Sequence, residues 1–141
     1  MYAIKESKLT DLEKLEDKFD DIIQDLSEKI DELEYTTDRQ SSDISQVEKA
    51  LELYKFNEMR YPSTEQGLEA LVKPHLELKR PYLYPENGYI NSVPTDPWGQ
   101  EYFYLSPGEK AKRYDIYSLG ADGLEGGVGD NADIGNWISQ N

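Results

Sequence analysis

The chain contains no cysteine, which excludes disulfides, thiolate metal centres and thiol catalysis. It has a single histidine, so no His-based pair or cluster is available for acid–base or metal chemistry. No run of about 18 apolar residues occurs, so no segment is expected to span a bilayer as a helix. No apolar h-region lies near Met1, so no signal peptide is expected there. Basic residues are scarce: 15 Lys+Arg stand against 29 Asp+Glu, for a net charge of −14. That balance argues against a general nucleic-acid binder, because phosphate neutralisation needs a basic surface, and it is compatible with cation binding. Hydrophobic residues make up only 37% and charged residues 31% of the 141 positions. Part of the chain is therefore expected to be an exposed, charged, elongated element rather than core.

Glycine and proline are missing from residues 1–43, and all 10 Gly and all 7 Pro come later. The first part reads as helix, the second as a turn-rich globular domain. A heptad with a at Leu9, Glu16, Ile23, Ile30, Thr37, Ile44 and Leu51 places d at Leu12, Phe19, Leu26, Leu33, Gln40, Val47 and Tyr54. The alternating steps of three and four are the coiled-coil period. Leu15 and Ile22 widen the stripe, and Thr37 and Gln40 interrupt it before it resumes in phase at Ile44. One continuous helix from about Lys8 to Tyr54, roughly 70 Å long at 1.5 Å per residue, is expected. Ile44, Val47, Ala50, Leu51 and Tyr54 should pack on the globular domain. The earlier stripe needs a partner helix or stays in water, and self-association through Ile23, Leu26, Ile30 and Leu33 is the favoured of the two.

In the globular part, Ser63 and Gln66 form a capping-box pattern that predicts a second helix through Leu68, Leu71 and Val72, stopped by Pro74. Residues 79–97 carry too many prolines for a regular element and read as an ordered loop whose tyrosines pack down on a sheet. Glu101–Leu105 and Tyr114–Ser118 read as two antiparallel strands, with a turn at Ser106-Pro107-Gly108-Glu109. Trp137-Ile138 is expected to add a short last strand or plug the core. The fold class is α+β, a long N-terminal helix packed on a small antiparallel sheet.

The chemically loudest segment is Leu119–Asp133, Leu-Gly-Ala-Asp-Gly-Leu-Glu-Gly-Gly-Val-Gly-Asp-Asn-Ala-Asp. Glycine lets the backbone turn tightly and aim carbonyls inward, while carboxylates brought together repel unless a cation sits among them. Hard oxygen ligands without His or Cys suit Ca²⁺. Asp122 and Asp130 are the first side-chain candidates and Asp133 the third, with the carbonyls of Leu119 and Val128 filling other positions. The same composition also describes a plain mobile loop, and the EF-hand spacing is absent. Glu125 is as suited to water as to a metal.

Other residues read as structural: His75 as a loop residue, Trp98 as an anchor at a turn, and Asp96 before Pro97 as a turn former. Lys110, Lys112 and Arg113 form a basic cluster that could pair with acidic neighbours. No nucleophile motif, phosphate loop or cleft-forming acid pair appears, so no enzyme is expected.

Five stretches carry a family resemblance. They are Arg60-Tyr61-Pro62-Ser63-Thr64-Glu65-Gln66-Gly67-Leu68, Asp96-Pro97-Trp98-Gly99 and Tyr104-Leu105-Ser106-Pro107-Gly108. After these come Tyr114-Asp115-Ile116-Tyr117-Ser118-Leu119-Gly120-Ala121-Asp122-Gly123 and Asp133-Ile134-Gly135-Asn136-Trp137. In this order, residues 38–141 resemble the soluble part of the major pseudopilins of bacterial type II secretion, within the type IV pilin-like superfamily. The resemblance implies a repeating subunit of a periplasmic filament, the pseudopilus, on the periplasmic face of the inner membrane. Its implied partners are copies of itself, other pseudopilins and an inner-membrane assembly platform. It also implies a bound Ca²⁺, with ligands falling on Leu119, Asp122, Val128 and Asp130, and less firmly on Asp133, because the loop length varies in the family.

The family's leader, the Glu at its fifth mature position and its apolar membrane helix have no counterpart here. Residues 1–37, charged and heptad-patterned, are expected to be an engineered coiled-coil fusion in their place, joined near Tyr35–Asp38. The rival reading of residues 38–141 is a calcium-dependent module recognising sugar or peptide, with the aromatic loop Tyr82–Tyr89 as its platform.

Overall fold

The computed structural model describes residues 2–138, with side chains from residue 10 onward. The element order is α1 (Tyr2–Glu58), β1 (Phe103–Leu105), β2 (Asp115–Ser118) and β3 (Ile134–Gly135), with short 3₁₀ helices at Leu68–Leu71, Pro81–Leu83 and Gly129–Asn131. The chain divides into two compact units, Met1–Tyr35 and Thr36–Asn141.

In the first unit the expected stripe is present and wet: Leu12, Phe19, Ile23, Leu26 and Ile30 are all more than half exposed. The side chain of Leu9 lies outside the described residues. Leu33, Thr36 and their neighbours continue the helix without a break.

In the second unit the same heptad frame turns inward. Ile44, Val47, Leu51 and Tyr54 are buried, as is Ala50. The d residue Gln40, expected to interrupt the stripe, is buried too, whereas Thr37 is exposed. Four aliphatic or aromatic side chains at steps of three and four give α1 an apolar face. Leu68, Leu71, Ile90, Tyr102, Tyr104 and Ile116 complete the core on that face. The helix stops after Glu58 because Met59 takes a left-handed conformation, φ 68°, its N–H still bonded to the Lys55 carbonyl at 2.7 Å. The buried Glu58 carboxylate accepts the N–H groups of Lys79 at 2.8 Å and Arg80 at 3.1 Å. Those bonds tie the start of the proline-rich loop to the helix end and offset the cost of an acid at a helix C-terminus.

The second predicted helix is not formed. Its capping box is: Ser63 N–H donates to Gln66 Oε1 at 2.9 Å, and Gln66 N–H donates to Ser63 Oγ at 3.1 Å. Gly67, at φ 65°, then breaks the helical path, and only a 3₁₀ turn over Leu68–Leu71 comes after it. Local capping chemistry is thus satisfied on an isolated turn, with Leu68, Ala70 and Leu71 still delivered to the core.

The hairpin forms as expected, with shorter strands. Phe103 pairs with Tyr117, Tyr104 with Ile116, and Leu105 with Asp115, all antiparallel. The third strand lies at Ile134–Gly135, opposite Tyr117 and Ser118, and not at Trp137-Ile138. Asn136 explains the placement. It is buried, its Oδ1 accepts the Ile116 N–H at 3.0 Å, and its Nδ2 donates to the Tyr114 carbonyl at 2.9 Å. Its side chain therefore stands in for backbone along β2 once β3 has ended. Trp137 packs instead on Tyr117, with ring centroids 5.5 Å apart, and Tyr117 stacks on Phe103 at 5.2 Å.

The loop tyrosines pack differently from expectation. Tyr89 meets Tyr54 of α1, 5.6 Å between centroids, and Tyr84 donates to the Ala70 carbonyl at 2.9 Å. Tyr89 lies against α1 and Tyr84 against the Leu68–Leu71 turn and Tyr89, not against the sheet, and Tyr82 is exposed. His75 is indeed structural, its Nε2 2.7 Å from the Tyr54 hydroxyl.

Burial makes these phenols hard to ionise. It pushes Tyr54 up to about 12, with Glu58 adding repulsion, and Tyr84 up to about 12, with Tyr89 adding to it. Burial also raises Tyr102, Tyr104 and Tyr114. An unfolded chain ionises its tyrosines near pH 10, so the folded state binds more protons above that point. The stability these neutral phenols contribute is full below pH 10 and is lost as pH climbs toward 12. Each fully retained proton steepens the loss by about 1.4 kcal/mol per pH unit. Alkaline titration should show a cooperative unfolding in which far-UV dichroism and tyrosinate absorbance change together. Gradual ionisation of all tyrosines with the fold intact would contradict this.

Candidate metal site

The glycine loop begins where β2 ends and closes where β3 begins, so the sheet fixes both of its ends. At its base, Ser118 Oγ donates to Asp96 Oδ2 at 2.8 Å and accepts the Gly120 N–H at 3.1 Å. Asp96, 1% exposed, also accepts the N–H groups of Trp98 at 3.1 Å and Gln100 at 2.8 Å through Oδ1. The turn former expected from the sequence is thus also the anchor of the loop. Ser118 carries no signal in the sequence; its role depends on a partner 22 positions away.

Above the base the loop folds onto itself. Ala121 N–H donates to the Asp130 carbonyl at 2.7 Å, which sets Asp122 and Asp130 on the two sides of one neck. Gly120, at φ 80°, is pressed against the other side: a Cβ there would lie 2.7 Å from the Asp130 carbonyl oxygen. The glycine is required by both the backbone conformation and the space. Gly127, at φ 89°, is held as closely against Asn131.

The five predicted ligands do not share one environment. Asp122 is exposed, and its Oδ1 accepts the Leu124 N–H at 3.1 Å in an Asx turn. Asp130 is half-buried at the start of the 3₁₀ turn Gly129–Asn131. The Val128 carbonyl accepts the Asn131 N–H at 3.1 Å, leaving a second lone pair, and the Val128 side chain is exposed. Asp133 is half-buried: its Oδ2 accepts the Gly126 N–H at 2.9 Å, while its Oδ1 is shut off from solvent without a hydrogen-bond partner among the described residues. Leu119 and Asp133 line a small cavity of about 50 Å³ together with Glu125, and Asp122, Val128 and Asp130 lie outside that lining. Among the described residues, no three acidic or histidine side chains converge closely enough to hold a metal ion.

A buried carboxylate oxygen with nothing to accept from is costly, and the donors in this loop are all oxygen. Both observations fit a hard cation such as Ca²⁺. Glu125, ambiguous in the sequence, faces the same cavity as Asp133. On the cavity rim, Lys110 Nζ sits 4.4 Å from the Trp137 ring centroid.

In the sequence Asp115 is only one residue of an alternating strand. In the fold it is 1% exposed, and its carboxylate accepts the N–H groups of Glu109 at 2.8 Å, Lys110 at 3.0 Å and Ala111 at 2.7 Å, closing the hairpin connection. Of the basic cluster, Arg113 pairs with Glu52 at 3.2 Å, exposed and so of small weight.

A family model described as "Type II secretion system (T2SS), protein G" matches residues 27–137. The chain belongs to the type II secretion system protein G family. It is 52% identical over 95 residues to the type II secretion system core protein G of Pseudomonas aeruginosa, a stretch that is 67% of this chain and 66% of that protein. It is likewise 52% identical over 99 residues to the core protein G of Vibrio cholerae, covering 70% of this chain and 66% of the relative. The chain thus spans about two thirds of the length of these protein G relatives. Its structure is similar to the crystal structure of the major pseudopilin of enterohaemorrhagic Escherichia coli, with a TM-score of 0.63 and 39% identity over 74% of this chain and 89% of that one. The long helix and small antiparallel sheet expected from the sequence are the architecture of this chain. No described helix is long and apolar enough to cross a membrane.

Proposed function

We propose that residues 36–141 are the globular part of a structural subunit of the type II secretion pseudopilus, a periplasmic filament, and that a Ca²⁺ ion staples its loop 119–133. The observation that carries the calcium is the orphaned, buried Oδ1 of Asp133 beside the Leu119 stretch. The resemblance assigns the ligands to the carbonyls of Leu119 and Val128 and the carboxylates of Asp122, Asp130 and Asp133; in the described fold only Leu119 and Asp133 of these line one cavity, so binding requires the loop to draw Asp122, Val128 and Asp130 in around the ion. The ion gathers carboxylates that stand apart in the described loop and orders the face of the subunit next to β2 and β3. The subunit role is supported by family membership and by the likeness to a major pseudopilin.

The resemblance calls for an apolar membrane helix ahead of this domain, copies of itself, other pseudopilins and an inner-membrane platform as partners. Joining residues 36–141 to the membrane helix of the Vibrio cholerae relative, in a strain lacking that relative, should restore protein secretion. Overexpression of the same chimera should produce filaments visible by electron microscopy. A stable, membrane-inserted chimera that restores neither would overturn the subunit role.

A further inference from the structure

The apolar stripe of the unit Met1–Tyr35 is exposed along a continuous stretch of α1, with Leu12, Phe19, Ile23, Leu26 and Ile30 between 54% and 62% exposed. A helix that keeps such a stripe in water gains little from forming alone, since amphipathic helices draw their stability from the packing of that face. The charges beside the stripe say what covers it. In the heptad frame the e positions are Glu13, Asp20, Ser27 and Glu34, and the g positions are Leu15, Ile22 and Lys29.

In an antiparallel pair e faces e across the seam, which in the fully overlapped pair sets Glu13 against Glu34 at both ends and Asp20 against Ser27 between them. In a parallel, in-register pair each g residue faces the e residue of the next heptad on the other helix. Leu15 then meets Asp20, Ile22 meets Ser27, and Lys29 meets Glu34, so no acid opposes an acid along those rows. Within its own chain Lys29 lies 3.8 Å from Glu32, an exposed pair of small weight. One polar residue, Glu16, occupies an a position among Ile23 and Ile30. In a parallel, in-register assembly it meets only itself, which marks the register at a cost in stability.

We infer that this seam is covered by the same seam of another copy of the chain, parallel and in register. The absence of cysteine makes the arrangement directly testable in the full chain, because an introduced thiol has no competitor. Leu12 at d and Ile30 at a are both exposed, so Leu12→Cys and Ile30→Cys each leave the second unit intact. In the inferred assembly both variants crosslink to their own copies under mild oxidation, since each position faces itself. An antiparallel pair has a single point of self-contact, so at most one of them would.

The native mass of the wild type should be at least twice that of the monomer. The double variant Ile23→Asp/Ile30→Asp should fall to monomer with the thermal unfolding of residues 36–141 unchanged. Glu16→Leu should raise the dissociation midpoint. A monomeric wild type at micromolar concentration would overturn the inference. So would crosslinking confined to a mixture of the Leu12→Cys and Ile30→Cys chains.

Discussion

Chelation of divalent cations should lower the melting temperature of this protein by about 10 °C, and added Ca²⁺ should restore it. The size comes from linkage: an ion present at 100 times its dissociation constant adds about 2.7 kcal/mol to the folded state. For a domain of about 100 residues each kcal/mol moves the midpoint by about 4 °C or more. The loop is built so that the effect is large. Its carboxylates at 122, 125, 130 and 133 lie within one short segment, and Asp133 Oδ1 is buried without a hydrogen bond among the described residues. On the proposed staple, removing the ion would leave these carboxylates without a counter-charge, and a segment with glycines at 120, 123, 126, 127 and 129 would recover much backbone freedom when released. Asp122→Ala should copy the effect of chelation and abolish the response to Ca²⁺. Magnesium should rescue poorly, because it demands a tighter octahedral shell than carbonyls and mixed carboxylates in a glycine loop provide. A melting curve indifferent to chelator would count against the staple.

Asp96→Ala should be among the most damaging single substitutions outside the apolar core. It removes the acceptor for Trp98 N–H, Gln100 N–H and Ser118 Oγ, all at 3.1 Å or less. Hydrogen bonds to a charged group contribute about 1.5–3 kcal/mol each, and buried donors left without a partner add their desolvation cost. An overall loss of at least about 4.5 kcal/mol is expected, a large share of the roughly 5–15 kcal/mol that holds a domain together. Asp96→Asn keeps one carbonyl oxygen and should lose about half as much. The two predictions are coupled through Ser118, whose Oγ links Asp96 to Gly120 at the loop's root. Asp96→Ala should therefore also weaken the calcium response, whereas Arg113→Ala, which removes an exposed pair with Glu52, should leave both stability and response nearly unchanged. An Asp96→Ala protein that melts like the wild type would show that the anchor is not energetically important.

The comparison of Asp96 with Asp115 shows what a sequence reveals of such a domain. Asp96 sits before proline and two residues ahead of Trp98, so its local turn chemistry is legible. Asp115 lies in an alternating strand, and nothing nearby announces that its carboxylate will collect three backbone N–H groups. Asn136 is similar, completing the pairing of β2 from 20 residues away. Both roles exist only once the chain has folded.

The core face of α1 is legible because a period of three and four survives any tertiary context. Residues 63–72 read as helix but do not form one, because the capping box is a local signal satisfied locally, while Gly67 at φ 65° turns the next residues off the helical path. In the candidate site, the residue types and the glycine spacing point to the loop 119–133. The placing of Glu125 with Asp133 on one cavity, and the anchoring of the whole from Asp96, emerge only from the folded arrangement.

Calorimetric titration of chelator-stripped protein with Ca²⁺, run beside Asp122→Ala and Asp133→Asn, is the most direct test of the staple. One ion per chain is expected for the wild type, with binding abolished in Asp122→Ala and weakened at least tenfold in Asp133→Asn, about 1.4 kcal/mol. A stripped wild type that takes up no calcium, or variants that bind it as tightly as the wild type, would contradict the account.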